Sequence, residues 1–86
     1  VVEFNRAVAV GMAEGPAAAL VLVDRLQGDK ALRSYQWLPS VRGDLLGKLG
    51  RHAEAQAEWL RAAGLAGNGA ERTLLLARAA QAAAQG

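Results

Sequence analysis

Apolar residues recur at helical spacing along almost the whole chain, and the breaks between those stretches fall on glycine or proline. Phe4, Val8 and Met12 recur every four residues, with Val1 and Ala7 on the same side, which predicts a first helix ending near Gly15. Gly15-Pro16 is a stop followed by a start, because proline suits the first turn of a helix and its missing donor costs nothing there. A second helix, from Pro16 to about Gln27, presents Ala19, Leu22, Val23 and Leu26 on one face. Residues 28–34 are the least regular part of the chain. A third helix is expected to begin at Ser34 or Trp37, with Pro39 either in its first turn or kinking it. Val41, Leu45, Leu46 and Leu49 form its apolar stripe, which ends at Gly50. The fourth helix covers roughly His52 to Leu65, inward through Ala55, Trp59 and Ala62 and outward through Glu54, Glu58 and Arg61. Gly67-Asn68-Gly69 closes it, and Asn68 with Glu71 three residues on reads as a capping box for a fifth helix. That helix carries Leu74, Leu75, Ala77 and Ala80, and its end, Ala82 to Gly86, is expected to fray.

The small and large residues have an order of their own. Gly43, Leu46, Gly50, Ala55, Trp59 and Ala62 fall at intervals of three, four, five, four and three residues. That is the spacing of one tetratricopeptide repeat, two antiparallel helices that cross closely. The first glycine lets the backbones approach, Leu46 fills the groove and Gly50 closes the turn. Ala55 is expected to meet Gly43 across the crossing, and Trp59 to pack toward the next helix as part of the core. Gly15 and Gly50 lie 35 positions apart, and Ala19, Val23 and Leu26 are spaced like Ala55, Trp59 and Ala62 with one residue inserted. A period near the ~34 residues of a tetratricopeptide unit predicts two such hairpins. The expected architecture is all-α: a five-helix tetratricopeptide-like array of two antiparallel hairpins and a C-terminal capping helix, one domain over residues 1–86.

Composition narrows the function more than the fold. An 86-residue chain is near the size at which a single core is only just sufficient, and alanine supplies much of its apolar content. Its stability is expected at the low end of the ~5–15 kcal/mol common for domains. There is no cysteine, which removes disulfides and thiolate metal sites. The longest apolar run, Pro16 to Val23, is too short to span a bilayer, and Glu3 and Arg6 interrupt anything resembling a signal peptide. The first residue is not methionine, so the chain reads as a piece of a longer, cytoplasmic protein. Ten cations stand against eight anions, interleaved throughout, so no basic stripe suited to nucleic acid is present.

Candidate chemistry is sparse. His52 is the sole histidine and falls in a helix turn, where packing or exposure is the simpler role. Ser34 and Ser40 have no acid or base at a recognisable spacing. Glu54 and Glu58 lie one turn apart but flank inward residues, which reads as a solvated face. No cofactor or metal is expected, and no enzymatic activity. The polar residues on apolar faces carry more information. Asn5 and Arg6 interrupt the first helix, and Arg42 with Asp44 the third. Either Arg42 or Arg6 pairs with Asp44 and fixes the register of the hairpins, or these residues form a polar hot spot for a partner. The structural role is favoured, with Tyr35, Trp37 and Arg42 the residues to test for binding.

Asn5-Arg6-Ala7-Val8-Ala9-Val10, then Gly15-Pro16-Ala17-Ala18-Ala19-Leu20, then Tyr35, Arg42-Gly43-Asp44-Leu45-Leu46, Leu49-Gly50-Arg51, Glu54-Ala55, Ala62, and Asn68 with Glu71-Arg72 form a consistent series. Together they resemble a group of bacterial extracytoplasmic-function RNA polymerase sigma factors, which carry a helical, tetratricopeptide-like extension after their DNA- and polymerase-binding regions. The resemblance implies a C-terminal regulatory domain that contacts the sigma regions of its own chain, core polymerase or a regulator, and that does not itself bind promoter DNA or membrane. Gly43 stands where the family carries alanine, and Trp37 and Pro39 fall where leucine and histidine are usual. A generic tetratricopeptide scaffold, or a helical accessory domain of an enzyme, are the alternatives.

Overall fold

The computed structural model describes residues 2–32 and 35–85. It consists of five α-helices: α1 (Val2–Glu14), α2 (Pro16–Leu26), α3 (Trp37–Lys48), α4 (His52–Leu65) and α5 (Gly69–Gln85), with one 3-10 turn at Lys30–Leu32. No strand occurs among the described residues, so the fold is all-α. The expectations placed on Val1, Ser34 and Gly86 lie outside the described residues. Pro39 sits in the first turn of α3.

The helices pack in chain order: α1 on α2, α2 on α3, α3 on α4 and α4 on α5. Both tight turns carry a glycine at positive φ. Gly15 and Gly50 have φ of 100° and 79°, the only positive values among the described residues. A side chain in that region would collide with the following carbonyl, so glycine is the residue that allows so short a reversal.

Most of the core is one cluster. Phe4 and Ala7 of α1, Ala19, Leu20 and Val23 of α2, Leu38, Leu45 and Leu46 of α3, and Ala55 of α4 are all buried, together with Leu32 and Ala82. A smaller cluster, Ala62, Ala63 and Leu75, joins α4 to α5. Trp59 is half-buried and packs against both clusters.

Three helix faces differ from the expected ones, each for a packing reason. Met12 is 87% exposed, because α1 turns Phe4, Ala7 and Gly11 inward instead. A Cβ added at Gly11 would lie 2.9 Å from the Ala19 Cβ, so α1 and α2 meet where both residues are small. In α5 the buried positions are Leu75, Ala79 and Ala82, while Leu74, Ala77 and Ala80 are exposed. Helix α5 extends through Gln85. In α3, Leu49 lies at the surface, and Leu38, hidden from the sequence reading by its proline neighbour, is fully buried.

The close approach around Gly43 also differs from expectation. Ala55 is fully buried, but a Cβ on Gly43 would meet Trp59, at 2.9 Å from Cε2 and 3.0 Å from Cδ2. The glycine of this crossing makes room for an indole, not for an alanine.

Asn68 caps α5 as expected: its Oδ1 accepts a hydrogen bond from the Glu71 N–H at 2.8 Å. The reciprocal half of the capping box is replaced. The Glu71 carboxylate accepts instead from Gln36 Nε2 at 3.0 Å, tying the start of α5 to the start of α3. Asn68→Ala is expected to cost about 1 kcal/mol in a urea unfolding curve. A change within error would show that the cap is dispensable.

Candidate functional site

Arg42 falls in one place, Trp37 and Asp44 in a second, and Asn5, Arg6 and Tyr35 in neither. The first is a closed ring of polar contacts across α2, α3 and α4. Arg42 Nε donates to Asp24 Oδ1 at 2.7 Å, and Arg42 Nη1 pairs with Glu58 Oε1 at 3.0 Å. Glu58 Oε2 lies 3.7 Å from Arg61 Nη2, and Arg61 Nη1 donates to Gln27 Oε1 at 3.3 Å. Gln27 Nε2 then donates to Asp24 Oδ1 at 3.3 Å and completes the circuit. Arg42 and Glu58 are its inner members, with side chains 16% and 10% exposed, so they interact in a medium of lower effective dielectric than water.

Arg42 therefore does fix helices against one another, but through Asp24 and Glu58. Asp44, the expected partner, points elsewhere and pairs with Lys48 at 3.0 Å on the surface of its own helix. Glu58 was expected outward and is 92% hidden. Its spacing from Ala55 and Ala62, three and four residues, puts it on the inward face; only its charge argued otherwise. Asn5 and Arg6 are exposed on α1 and do not enter the ring. Tyr35 meets Phe4 edge to face, ring centroids 5.4 Å apart at 86°, and serves the core.

The second place is a groove between α3 and α5, floored by Trp59 of α4. At one end a depression of about 320 Å³ lies among Trp37, Val41, Leu74 and Leu75. At the other, about 210 Å³ lies among Gly47, Lys48, His52, Gln81 and Gln85. Asp44, Trp59 and Arg78 border both. Trp37 and Leu74 are 50% and 57% exposed, a combination sequence periodicity did not single out as one surface. The Arg78 guanidinium lies over the Trp59 ring, 5.9 Å from its centroid.

Among the described residues no group of three or more histidine and carboxylate side chains is placed to hold a metal ion. His52 has a buried Nδ1 without a hydrogen-bond partner, but neither Ser40 nor a carboxylate orients it. Ser40 donates to the Gln36 carbonyl at 2.9 Å and is occupied within its helix. Beside the hairpin turn, the Arg51 guanidinium hydrogen-bonds Glu54 at 2.6 Å and holds its carboxyl below the usual carboxylate range, at the protein surface. What the arrangement presents is an exposed groove of apolar and arginine side chains between helices.

No family model matches the chain, and no solved structure matches it. The chain is similar to an uncharacterised protein of Rhizobium meliloti, with 48% identity over 71 residues, which is 83% of this chain. Those residues are 16% of that protein, so the chain spans a small part of the length of the relative it matches. No described helix is long and apolar enough to cross a membrane.

Proposed function

We propose that this chain is a non-enzymatic, tetratricopeptide-like protein-interaction domain, the C-terminal regulatory extension of an extracytoplasmic-function sigma factor acting in the cytoplasm. The observation that carries the interaction reading is serial packing of helices. Helices contact their chain neighbours in order, and the two positive-φ glycines stand 35 residues apart. Such an array leaves the groove between α3 and α5 open to a partner, and its rigid frame is suited to holding one.

The sigma factor reading rests on the resemblance in residues. Within that series Arg42 centres the polar ring and Leu45 and Leu46 are buried, while Gly43, which admits Trp59, departs from the family's alanine. A relative many times longer than the matched stretch fits a module within a larger protein. On this reading, promoter and polymerase binding belong to other parts of the chain, and the domain adjusts them through protein contacts.

The test is transcription in vitro with the longer protein, with and without this segment. Removal is expected to change promoter output or its regulation while the isolated domain shows no promoter affinity at physiological salt. Unchanged transcription on removal, or a salt-sensitive, sequence-dependent gel shift by the domain alone, would overturn the proposal.

A further inference from the structure

The groove between α3 and α5 has a chemical bias of its own. Its apolar end exposes Trp37 and Leu74 above a floor of Trp59 and Leu75, a combination in which a partner's large side chain would lose water on several sides. Its charges are not balanced. The Asp44 carboxylate is already met by Lys48 at 3.0 Å. Arg78 has no carboxylate within ion-pair distance among the described residues, and its planar group is held instead over the Trp59 ring. The cation–π contact places the arginine over the groove floor and leaves its N–H donors available to an acid. Farther along, the buried Nδ1 of His52 has no partner either.

We propose that this groove binds an acidic, amphipathic segment of a partner protein. A large apolar side chain sits against Trp37, Val41 and Leu74, and a carboxylate about one helical turn away pairs with Arg78. Arginine beside aromatic rings is the composition that dominates protein-binding hot spots. A nucleic acid strand fits less well, because one free arginine and one lysine already paired with Asp44 give no basic track along the groove. The inference rests on reading the chain as an interaction domain but is independent of the sigma factor assignment.

The 86-residue chain can be tested directly by selection against a phage-displayed library of random peptides. Its selected peptides are then labelled with fluorescein and titrated by anisotropy. Selected peptides are expected to share one large apolar residue with Asp or Glu three or four positions away. Arg78→Gln is expected to weaken them by about tenfold or more, the size of one lost charge-assisted hydrogen bond. Arg78→Lys, which keeps the charge but not the guanidinium fork, should weaken them less than Arg78→Gln, and Arg25→Gln, which lies outside the groove, should leave affinity unchanged. If Arg78→Gln does not fold, Leu74→Ala decides, because Leu74 is exposed and its loss leaves the core intact.

The inference is overturned by any of four results: no selected peptide, selection of basic or purely apolar peptides, affinity indifferent to the groove variants, or a groove closed by a second copy of the chain in gel filtration. These outcomes are separable from those of the transcription experiment. A domain that regulates transcription without binding acidic peptides would keep the proposed function and lose this partner.

Discussion

Arg42→Ala is expected to destabilise the chain by about 3 kcal/mol, the lower end of the cost of breaking a buried ion pair from one side. The deletion leaves Glu58 10% exposed, its Oε2 without a hydrogen bond and its nearest cation, Arg61, at 3.7 Å. Asp24 is 45% exposed and can return to water, so little of the loss arises there. In a domain of this size the change corresponds to a fall of roughly 15 °C in melting temperature. The double variant Arg42→Met, Glu58→Leu removes both charges and keeps apolar volume on both helices, and is expected to recover most of the loss. Urea unfolding of the parent, Arg42→Ala and the double variant measures this. Arg42→Ala within about 0.5 kcal/mol of the parent, the range of ordinary surface substitutions, would show that the ring is ornamental.

Trp59→Ala is expected to cost about 3 kcal/mol, within the span seen for truncation of large aromatic side chains. The indole touches both clusters, backs onto Gly43 and carries Arg78 on its ring, so its removal opens a cavity bordered by three helices. Gly43 gives a sharper version of the same experiment. Alanine favours a helix over glycine by about 1 kcal/mol, but its Cβ would stand 2.9 Å from a rigid ring. Overpacking of that kind costs ~1–3 kcal/mol, so Gly43→Ala is expected to destabilise the parent. With Trp59→Leu in place the clash disappears and the same substitution is expected to stabilise. Two additive effects would contradict the contact between Gly43 and Trp59.

The helix positions were largely legible because glycine and proline mark their ends. The fourth helix falls on His52–Leu65 as read, and Asn68 caps the fifth. Helix phase was harder to read where side chains carry little contrast. Leu74, Leu75 and Leu76 are equally apolar, and only packing on Ala62 and Ala63 selects Leu75 as the buried one. In the first helix, methionine outweighed Gly11 in the apolar pattern, though close approach to Ala19 favours the smaller residue.

The polar site shows the same division. Arg42 was recognisable because an arginine interrupting an apolar stripe needs a partner. The partner was not, because Asp24 and Glu58 lie 18 and 16 residues away on other helices, while Asp44 is only two positions along the same helix. The groove was invisible for a related reason. Trp37, Trp59, Leu74 and Arg78 belong to three helices, and no period along one chain brings them together.

The chain has two tryptophans, and both border that groove, one half exposed and one in its floor beneath a guanidinium. Its near-ultraviolet emission therefore originates at the surface proposed to receive a partner. An occupant that displaces water from Trp37 or draws Arg78 off Trp59 changes the colour and yield of that light, so the molecule carries its own unlabelled reporter of occupancy.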